Sequence, residues 1–427
     1  MRLPLRLAYD AVAGIARAAS RLAPAGESKL FRGLADRRGV VDRYREWATA
    51  NRDPSRPLLW MHAPSVGEGL QARPVLQRMR GRRPNVQLAY THFSPSAVAF
   101  AERLDVDFRD YLILDTTGDS AAAIEALRPT ALVFSKLDVW PNLVSAAHHR
   151  RVRLGLISAT LAERSTRRSG IARALLHDAY AALDAVGAVD LADADRLVAL
   201  GVRQSAIEVT GDTRYDQVWE RATSVDGNQT PLRTLASDRP TVVAGSTWPA
   251  DEAVLLPAFA QLRRSSPDVR LIIAPHEPTA AHIEPIVSWA RQTGAIVARL
   301  SDTMAGAADV VVVDQMGMLG DLYWLATIAY VGGGFHGAGL HSVLEPAAFG
   351  APVLFGPRYQ MSRDATLLLR SGGAISVADE RAMVTTMTRW LKDESRRTDA
   401  GESARTVVRE GLGAADRAFL LVERLMV

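Results

Sequence analysis

The sequence predicts an α/β protein with two Rossmann-like domains whose parallel sheets face an interdomain cleft. Short apolar runs alternate with helical patterns in the first half of the chain, and the same rhythm restarts after residue 240. Continuous apolar runs of this length are typical of strands buried on both faces of a parallel sheet. The predicted strands are 58–62, 86–91, 131–135 and 153–157 in the first half and 241–245, 269–274, 309–313, 328–332 and 352–356 in the second.

The domain boundaries follow from a change in composition between the two halves. Residues 222–240 lose periodicity and gather Pro, Gly, Asn, Asp and Ser, which is typical of a linker. We therefore expect an N-terminal domain over 36–221, a C-terminal domain over 241–427 and a separate segment over 1–35. Open parallel sheets bind ligands at the carboxyl ends of their strands, so polar residues that follow strands are candidates for function.

Composition excludes several classes of protein. With 48% hydrophobic and 23% charged residues over 427 positions, the chain has a globular composition and is neither disordered nor fibrous. It contains no cysteine, which excludes disulfides, thiolate zinc sites and cysteine nucleophiles. The formal net charge of +4 favours anionic partners but is too small to indicate nucleic acid.

The first 24 residues predict an amphipathic helix. Charged residues interrupt its apolar stretches, which are too short to cross a bilayer. On a helical wheel one face is polar and carries Arg2, Arg6, Asp10, Arg17 and Arg21. The opposite face is apolar and carries Leu5, Ala8, Val12, Ile15, Ala19 and Leu22. This pattern predicts an interfacial helix whose arginines meet an anionic membrane surface. The alternative is an ordinary surface helix packed on its own domain.

Two loops of the first half carry candidate acids. Ser65, Gly67 and Glu68 follow the first predicted strand and begin the next helix. Glu68 is either a helix-start acid favoured by the macrodipole or a general base, in a loop whose glycine admits a substrate. Asp138 follows the third predicted strand and is either a helix cap or a second residue of the site.

The second half carries the pattern of a nucleotide site. Gly245, Ser246 and Thr247 follow a strand and precede a helix, an arrangement that suits either a phosphate cradle or plain helix caps. A glycine-rich loop over 332–339 precedes a helix that carries Glu345 in its first turn. A carboxylate in that place can accept hydrogen bonds from ribose hydroxyls, so the two loops together predict a nucleotide site.

Several of these motifs also carry a family resemblance. They are SVGE (65–68), WPN (140–142), ISATLAERS (157–165), TGDTRYD (210–216), AGSTW (244–248), MGMLGDLY (316–323), YVGGGF (330–335) and LEPAAFGAPVLFGP (344–357). In order and approximate spacing the chain resembles bacterial 3-deoxy-D-manno-octulosonic acid (Kdo) transferases over almost its whole length. The resemblance implies a GT-B glycosyltransferase that moves Kdo, with inversion, from CMP-Kdo to a lipid A precursor. It also implies the cytoplasmic face of the inner membrane as its location and no obligatory metal or cofactor.

The resemblance implies roles for single residues. Glu68 corresponds to the family's general base, with Ser65, Gly67 and Asp138 on the acceptor side. Arg214, which takes the place of a family Lys, and the Ser246–Thr247 loop would stabilise the departing CMP phosphate, and Glu345 would hold the ribose. The alternative for Arg214 is a surface arginine beside the linker. The remaining donor-side residues are Gly245, Ser246, Thr247, His276, Met316, Gly317, Met318 and Leu319, with His341 and Ser342 near the phosphate. The chain departs from the family pattern at Lys136 and Asp138, where many members carry glutamates, and at 275–278.

Two other classes of protein fit part of the pattern. A UDP-sugar transferase or a sugar-nucleotide 2-epimerase of the same fold would share the glycine-rich loop and Glu345. A 2-epimerase, however, would have no use for a basic amphipathic start. A non-catalytic, membrane-bound nucleotide-binding protein would keep the C-terminal site but would not need an acid at position 68.

Overall fold

Two seven-stranded sheets, both entirely parallel, organise the chain. The structure is a computed structural model that describes residues 3–22, 29–163 and 165–427. The chain divides into two units: Met1–Gln217 together with Leu412–Val427, and Val218–Gly411. Each unit holds one sheet, so the predicted α/β class with two parallel sheets is confirmed.

The first unit contains strands β1 to β7, in the spatial order β3-β2-β1-β4-β5-β6-β7. Their bounds are β1 Leu58–His62, β2 Gln87–His92, β3 Phe108–Tyr111, β4 Ala131–Ser135, β5 Arg153–Ala159, β6 Ala185–Ala188 and β7 Ile207–Val209. The helices that begin before Gln217 are α1 Leu3–Leu22, α2 Lys29–Ala35, α3 Val40–Asn51, α4 Val66–Arg82, α5 Val98–Ala101, α6 Thr117–Leu127, α7 Pro141–His149, α8 Gly170–Ala181, α9 Leu191–Leu200 and α10 Arg214–Ser224.

The second unit contains strands β8 to β14, in the spatial order β10-β11-β9-β8-β12-β13-β14. Their bounds are β8 Thr241–Thr247, β9 Arg270–Pro275, β10 Val297–Arg299, β11 Val310–Val312, β12 Ile328–Val331, β13 Val353–Phe355 and β14 Ala374–Ser376. The remaining helices are α11 Leu232–Leu235, α12 Pro249–Ser265, α13 Ala280–Gln292, α14 Leu319–Leu322, α15 Leu344–Ala348, α16 Arg363–Ser371, α17 Glu380–Lys392, α18 Glu394–Glu410 and α19 Ala414–Arg424.

Strand order explains where each unit can bind a ligand. In the first sheet the chain order reverses between the neighbours β1 and β4, and in the second it reverses between β8 and β12. At such a switch point the loops after the two strands diverge and leave a crevice at the carboxyl edge. The SVGE loop follows β1, and the glycine-rich loop follows β12. The topology thus places the predicted motifs at the two switch points.

The last helix of the chain belongs to a different unit from the one predicted for it. Residues 412–427, which the sequence analysis assigned to the C-terminal domain, pack on the first unit instead. Asp416 of α19 accepts from Arg82 Nη2 at 2.7 Å and lies 3.2 Å from Arg78 Nε, both on α4. The helix is strongly amphipathic, and its apolar face belongs to the core beside β5 and α4.

The predicted linker also differs from expectation, because part of it is folded into the second unit. Leu232 and Leu235 of α11 are buried in that unit's core. The fully buried Arg270 donates from Nη2 to Leu235 O at 2.6 Å. Burial lowers the pKa of the Arg270 guanidinium to about 10. The Pro, Gly, Asn, Asp and Ser residues of this segment therefore form turns within the folded unit, and the segment is not a flexible linker.

Helix α1 docks through its polar side, which reverses the expected arrangement. Tyr9 donates to Asp115 at 2.8 Å, and Arg17 Nε lies 2.7 Å from Asp119. Asp10 accepts from Asn142 Nδ2 at 2.7 Å. The loop after β3 and the first turns of α6 and α7 supply these partners, so Tyr9, Asp10 and Arg17 are turned toward the first unit. Arg2, predicted on the same face, lies outside the described residues.

The apolar side of α1 is exposed as a consequence. The side chains of Leu7, Val12 and Ile15 are 61%, 66% and 70% exposed. Ala8, Ala11 and Ala19 are exposed on the same side. Among the described residues, no helix combines the length and the hydropathy needed to cross a membrane.

Candidate active site

Glu68 lies at the switch point of the first sheet. Ser65 caps α4 by accepting from Gly67 N at 3.2 Å, which places Glu68 in the first turn. The Ser65 hydroxyl donates to one carboxylate oxygen of Glu68, and Lys136 Nζ donates to the other at 3.0 Å. The Glu68 side chain is 16% exposed. A carboxylate held from two sides and open to solvent can accept a proton from a bound hydroxyl group.

The charge of Glu68 is stabilised by its neighbours. Burial alone would raise the pKa of this carboxyl, but the hydrogen bond from Ser65 and the ammonium of Lys136 outweigh burial and lower it. Lys136 was noted in the sequence only as a departure from the family pattern. It follows β4, the strand next to β1, and sheet order brings it beside Glu68. The sequence does not show that order.

Asp138 lies at the same edge of the sheet and does not cap a helix. The first residue before α7 is Trp140, with Pro141 at the first helical position. Asp138 accepts from Trp140 Nε1 at 2.9 Å and lies 3.1 Å from Nε2 of the fully buried His62. Burial alone would raise the pKa of the Asp138 carboxyl, but His62 and Trp140 lower it. The cap interpretation is wrong; the carboxylate is held by two side chains.

Arg214 belongs to the first unit and has a carboxylate partner that the sequence did not reveal. Its Nε and Nη2 lie 2.9 and 2.7 Å from Asp212 Oδ2. Asp212 is buried and also accepts from Gln71 Nε2 at 3.1 Å. About a third of the Arg214 side chain is exposed. The guanidinium is therefore fixed in direction and can meet an anion only through its exposed edge.

In the second unit a buried acid that the sequence analysis did not single out organises the glycine-rich loop. Asp251, in the first turn of α12, is fully buried. Its carboxylate accepts from Gly333 N at 2.8 Å and Phe335 N at 3.1 Å. It also accepts from Trp248 N at 3.0 Å and from the Tyr330 hydroxyl at 2.9 Å. One side chain thus ties the loop after β12 to the loop after β8.

The residues predicted as a phosphate cradle have other partners in this structure. Thr247 donates to Glu252 at 2.8 Å, and the N-cap position of α12 is occupied by Trp248 and not by a Ser or Thr. A side chain at Gly245 would meet the Tyr323 hydroxyl, so the glycine is required by packing. Ser246 has a φ of 53°, in the left-handed region. Of the three predicted positions, Ser246 alone keeps a hydroxyl that is not committed to Glu252.

Four rings stack at the carboxyl edge of the second sheet. Trp248 lies between His336 and His276, with ring centroids 4.2 and 4.4 Å away, and His276 stacks on His341 at 4.6 Å. Burial, with nearby His276, lowers the pKa of His341 to about 4, so its imidazole is neutral at pH 7. The structure brings the predicted His276 and His341 together. Trp248 and His336 were missed because single aromatic residues in loops carry no periodic signal.

Glu345 lies in the first turn of α15, as predicted, and this helix begins at Leu344. Burial raises the pKa of its carboxyl against the opposing charge of Arg221. Arg221 Nε lies 2.7 Å from Asp321 and its Nη2 donates to Gly317 O at 3.2 Å. These charges link Glu345 to the segment that begins at Met316.

The backbone from Met316 to Leu319 has a conformation that lets a ligand approach it closely. Gly317 has a φ of 86°, and Met316 is 73% exposed. Met318 precedes α14, and Leu319 begins it. Within the described part of the chain, no three His, Asp or Glu side chains converge as metal ligands.

Comparison with known proteins decides the family. A family model described as 3-deoxy-D-manno-octulosonic-acid transferase (kdotransferase) matches residues 33–217. The 3-deoxy-D-manno-octulosonic acid transferase of Haemophilus influenzae is 26% identical over 397 residues, which cover 91% of each chain. That of Bordetella pertussis is 28% identical and covers 86% of each chain. The chain belongs to the Kdo transferase family.

Solved structures agree with the fold of this Kdo transferase family member. UDP-GlcNAc 2-epimerase of Neisseria meningitidis, in a structure bound to UDP-GlcNAc, superposes with a TM-score of 0.63 at 13% identity. The match covers 86% of this chain and all of that one. A glycosyltransferase of Rickettsia africae gives a TM-score of 0.58 at 11% identity, over 87% of this chain and 97% of that one. These matches confirm the predicted GT-B fold class.

Proposed function

We propose that the protein transfers Kdo from CMP-Kdo to a lipid A precursor with inversion. The observation that carries the proposal is Glu68, an ionised carboxylate at the switch point of the first sheet, in a chain of the Kdo transferase family. An acceptor hydroxyl gives its proton to Glu68 while its oxygen bonds to the anomeric carbon of Kdo. The bond between that carbon and the phosphate oxygen breaks, and CMP leaves as the anion. Ser65, Gly67 and Asp138 serve the acceptor side.

The second unit supplies the donor site in this proposal. Glu345 accepts from the ribose hydroxyls, because no other described group donates a hydrogen bond to its carboxylate. The backbone from Met316 to Leu319 meets the cytosine. His276, His341 and Ser342 lie toward the phosphate, with Ser246. Arg214 of the first unit meets the departing phosphate through its exposed edge, a charge-assisted contact that stabilises the leaving group.

Turnover tests this function directly. We expect the protein, incubated with CMP-Kdo and a tetraacylated lipid A precursor, to give CMP and a lipid whose mass has risen by whole Kdo units. UDP-GlcNAc is the control substrate, because proteins of the same fold epimerise it. Epimerisation of UDP-GlcNAc without Kdo transfer would replace the proposal with the 2-epimerase alternative.

Loss of the Glu345 carboxylate is expected to weaken donor binding. Glu345→Ala removes charge-assisted hydrogen bonds worth about 1.5–3 kcal/mol, so the Kd for CMP should rise about 10- to 100-fold. Titration calorimetry measures it. Glu402→Ala, which removes an exposed carboxylate of α18 in the same unit, is the matched control and should bind CMP normally. Equal affinity of the two variants would place the ribose elsewhere.

We further propose that α1 attaches the protein to the cytoplasmic face of the inner membrane. Its polar side is bound to the first unit, and its exposed apolar side is the surface available to a bilayer. An amphipathic helix of this kind lies in the interface with its apolar face among the acyl chains. The acceptor is a lipid, so attachment would bring the first unit to its substrate.

Charges on the apolar side of α1 are expected to release the protein from vesicles. The double variant Val12→Asp/Ile15→Asp removes two side chains whose burial is worth about 1.5–3 kcal/mol each, so sedimentation should show at least tenfold weaker binding. The melting temperature should barely change, because both side chains are exposed. Leu191→Asp, at a residue of α9 that is 74% exposed, is the control. Undiminished binding of the double variant would remove α1 from the proposed membrane contact.

A further inference from the structure

Arg358 is an exposed cation at the carboxyl edge of the second sheet, and the donor site described above does not use it. It follows β13, which ends at Phe355 and pairs in parallel with β12, the strand before the glycine-rich loop. We propose that Arg358 binds the carboxylate of the Kdo group in CMP-Kdo, so that the site selects a donor whose sugar is an acid. This inference deepens the proposed function and rests on it.

The chemistry of the donor places a second negative charge beside the phosphate. In a 2-keto sugar acid such as Kdo, the anomeric carbon carries the carboxylate and, in the activated donor, also the phosphate oxygen. Because bonds are about 1.5 Å long, two groups on one carbon stay within a few ångströms of each other. A protein that holds the phosphate beside the glycine-rich loop is therefore expected to meet the carboxylate beside the same loop.

The backbone of Arg358 is attached to the glycine-rich loop. Its N–H donates to Gly334 O at 2.9 Å. A side-chain carbon at Gly334 would lie 2.4 Å from Gly356 N, so the two loops touch through their glycines. Gln360 Nε2 donates to Pro357 O at 2.9 Å and closes the turn that carries Arg358. The loop after β13 thus holds Arg358 at a fixed place beside the loop after β12.

The side chain of Arg358 reaches the exposed part of the glycine-rich loop. A side-chain carbon at Gly337 would lie 3.8 Å from Arg358 Nη1, which is van der Waals contact. Gly337 is exposed, as is Arg358. Among the described residues, none accepts a hydrogen bond or forms an ion pair with this guanidinium. Its charge is therefore available to a ligand that lies along the loop.

Three other basic side chains of the second unit do not offer a charge of this kind. Arg221 is already paired with a carboxylate of α14 at 2.7 Å. His336 Nδ1 accepts from Ala338 N at 3.1 Å. His341 Nε2 accepts from Trp248 Nε1 at 3.2 Å. A backbone amide and an indole can only donate, so neither imidazole is doubly protonated in this arrangement.

An arginine also has the shape that a carboxylate requires. Its guanidinium stays charged at physiological pH, and two of its parallel N–H groups can donate to the two carboxylate oxygens at once. A lysine keeps the charge but presents no such pair of donors. The two substitutions Arg358→Gln and Arg358→Lys therefore separate the loss of charge from the loss of the paired donors.

Two measurements on the full chain test the inference. Arg358→Gln is expected to lower kcat/KM for CMP-Kdo about 10- to 100-fold, because a charge-assisted contact is lost, and Arg358→Lys should fall between it and wild type. The Kd for CMP, which has no sugar carboxylate, should not change in either variant. Arg370→Gln, at an exposed arginine in the last turn of α16, is the matched control and should behave like wild type. Melting temperatures should agree, because both arginines are exposed.

The other outcomes are distinct from one another. Equal weakening of CMP and CMP-Kdo in Arg358→Gln would place Arg358 at the phosphate or the nucleoside and overturn the carboxylate assignment. An unchanged kcat/KM, where wild type transfers Kdo, would overturn the inference and leave the proposed function standing. A wild type that binds CMP but transfers no Kdo would overturn the proposed function and the inference with it. If Arg358→Gln melts early, the comparison of CMP with CMP-Kdo is made on Arg358→Lys.

Discussion

Replacing Glu68 with Gln is expected to lower kcat by about 10²- to 10⁴-fold. Glutamine keeps the size of the side chain and can still contact the acceptor hydroxyl, but it cannot take the proton. CMP binding should not change, because the proposed donor contacts lie on other loops. The measurement is the rate of CMP release with saturating CMP-Kdo and lipid acceptor. Glu125→Gln, at an exposed acid of α6, is the control and should turn over normally.

The alternative role of Glu68 predicts the opposite result. A helix-start acid contributes at most about 1 kcal/mol of stability, so Glu68→Gln would lower the melting temperature slightly and spare kcat. Near-normal kcat in the folded variant would falsify the assignment of Glu68 as base.

A companion variant tests the electrostatics of the same group. Lys136→Met removes the ammonium that lowers the pKa of the Glu68 carboxyl. The pKa should therefore rise, and because the base acts when ionised, the acid limb of the kcat/KM profile should move to higher pH. Glu125→Gln should keep the wild-type profile. An unmoved acid limb would mean that Glu68 does not limit the rate at low pH.

Replacing Asp251 with Ala is expected to lower the free energy of unfolding of the second unit by at least about 4 kcal/mol. The carboxylate satisfies three backbone amides and one tyrosine hydroxyl, and each buried donor left without an acceptor costs about 1–3 kcal/mol. Hydrogen exchange should report the change at Gly333 and Phe335, whose amides lose their acceptor. CMP should bind more weakly as well, because the glycine-rich loop loses its attachment.

Controls separate this effect from a general loss of charge. Asp399→Ala, at an exposed position of α18, should change stability by no more than about 0.5 kcal/mol. Asp251→Asn keeps the size but turns amide hydrogens toward some of the donors, so it should be nearly as damaging as the alanine variant. Urea unfolding measures all three. A loss below about 1 kcal/mol in Asp251→Ala would mean that other contacts hold the loop.

The sequence predicts the central strands well and the edge strands poorly. Strands β1 and β4 were predicted with their observed bounds, because each is a continuous apolar run. Strands β3, β6, β7, β10 and β14 were missed. The sequence of β3 is FRDY, with two charges, and β7 and β10 have three residues each. Peripheral strands such as these need less apolar character, and their pairing partners are distant in sequence.

In the candidate site, too, the residues that lie within a local sequence motif could be predicted, and those that meet only through strand pairing could not. Glu68 and Glu345 could be predicted because a strand, a glycine and a helix start surround each of them in sequence. Lys136 could not, since it meets Glu68 only through the pairing of β1 with β4. Asp251 looked like an ordinary helix-start acid that accepts from Trp248 N, and its three other donors are revealed only when β12 lies beside β8.

The return of α19 to the first unit has a consequence for synthesis. A ribosome completes the second unit, Val218–Gly411, before it makes the helix that covers part of the first. Until then the α19-facing surface of α4 and β5 is uncovered, including the place where Gly155 leaves room for Leu425. The nascent first unit therefore exposes an apolar patch during the whole translation of the second. During this period the exposed apolar patch favours misassembly, and in the finished chain α19 covers it.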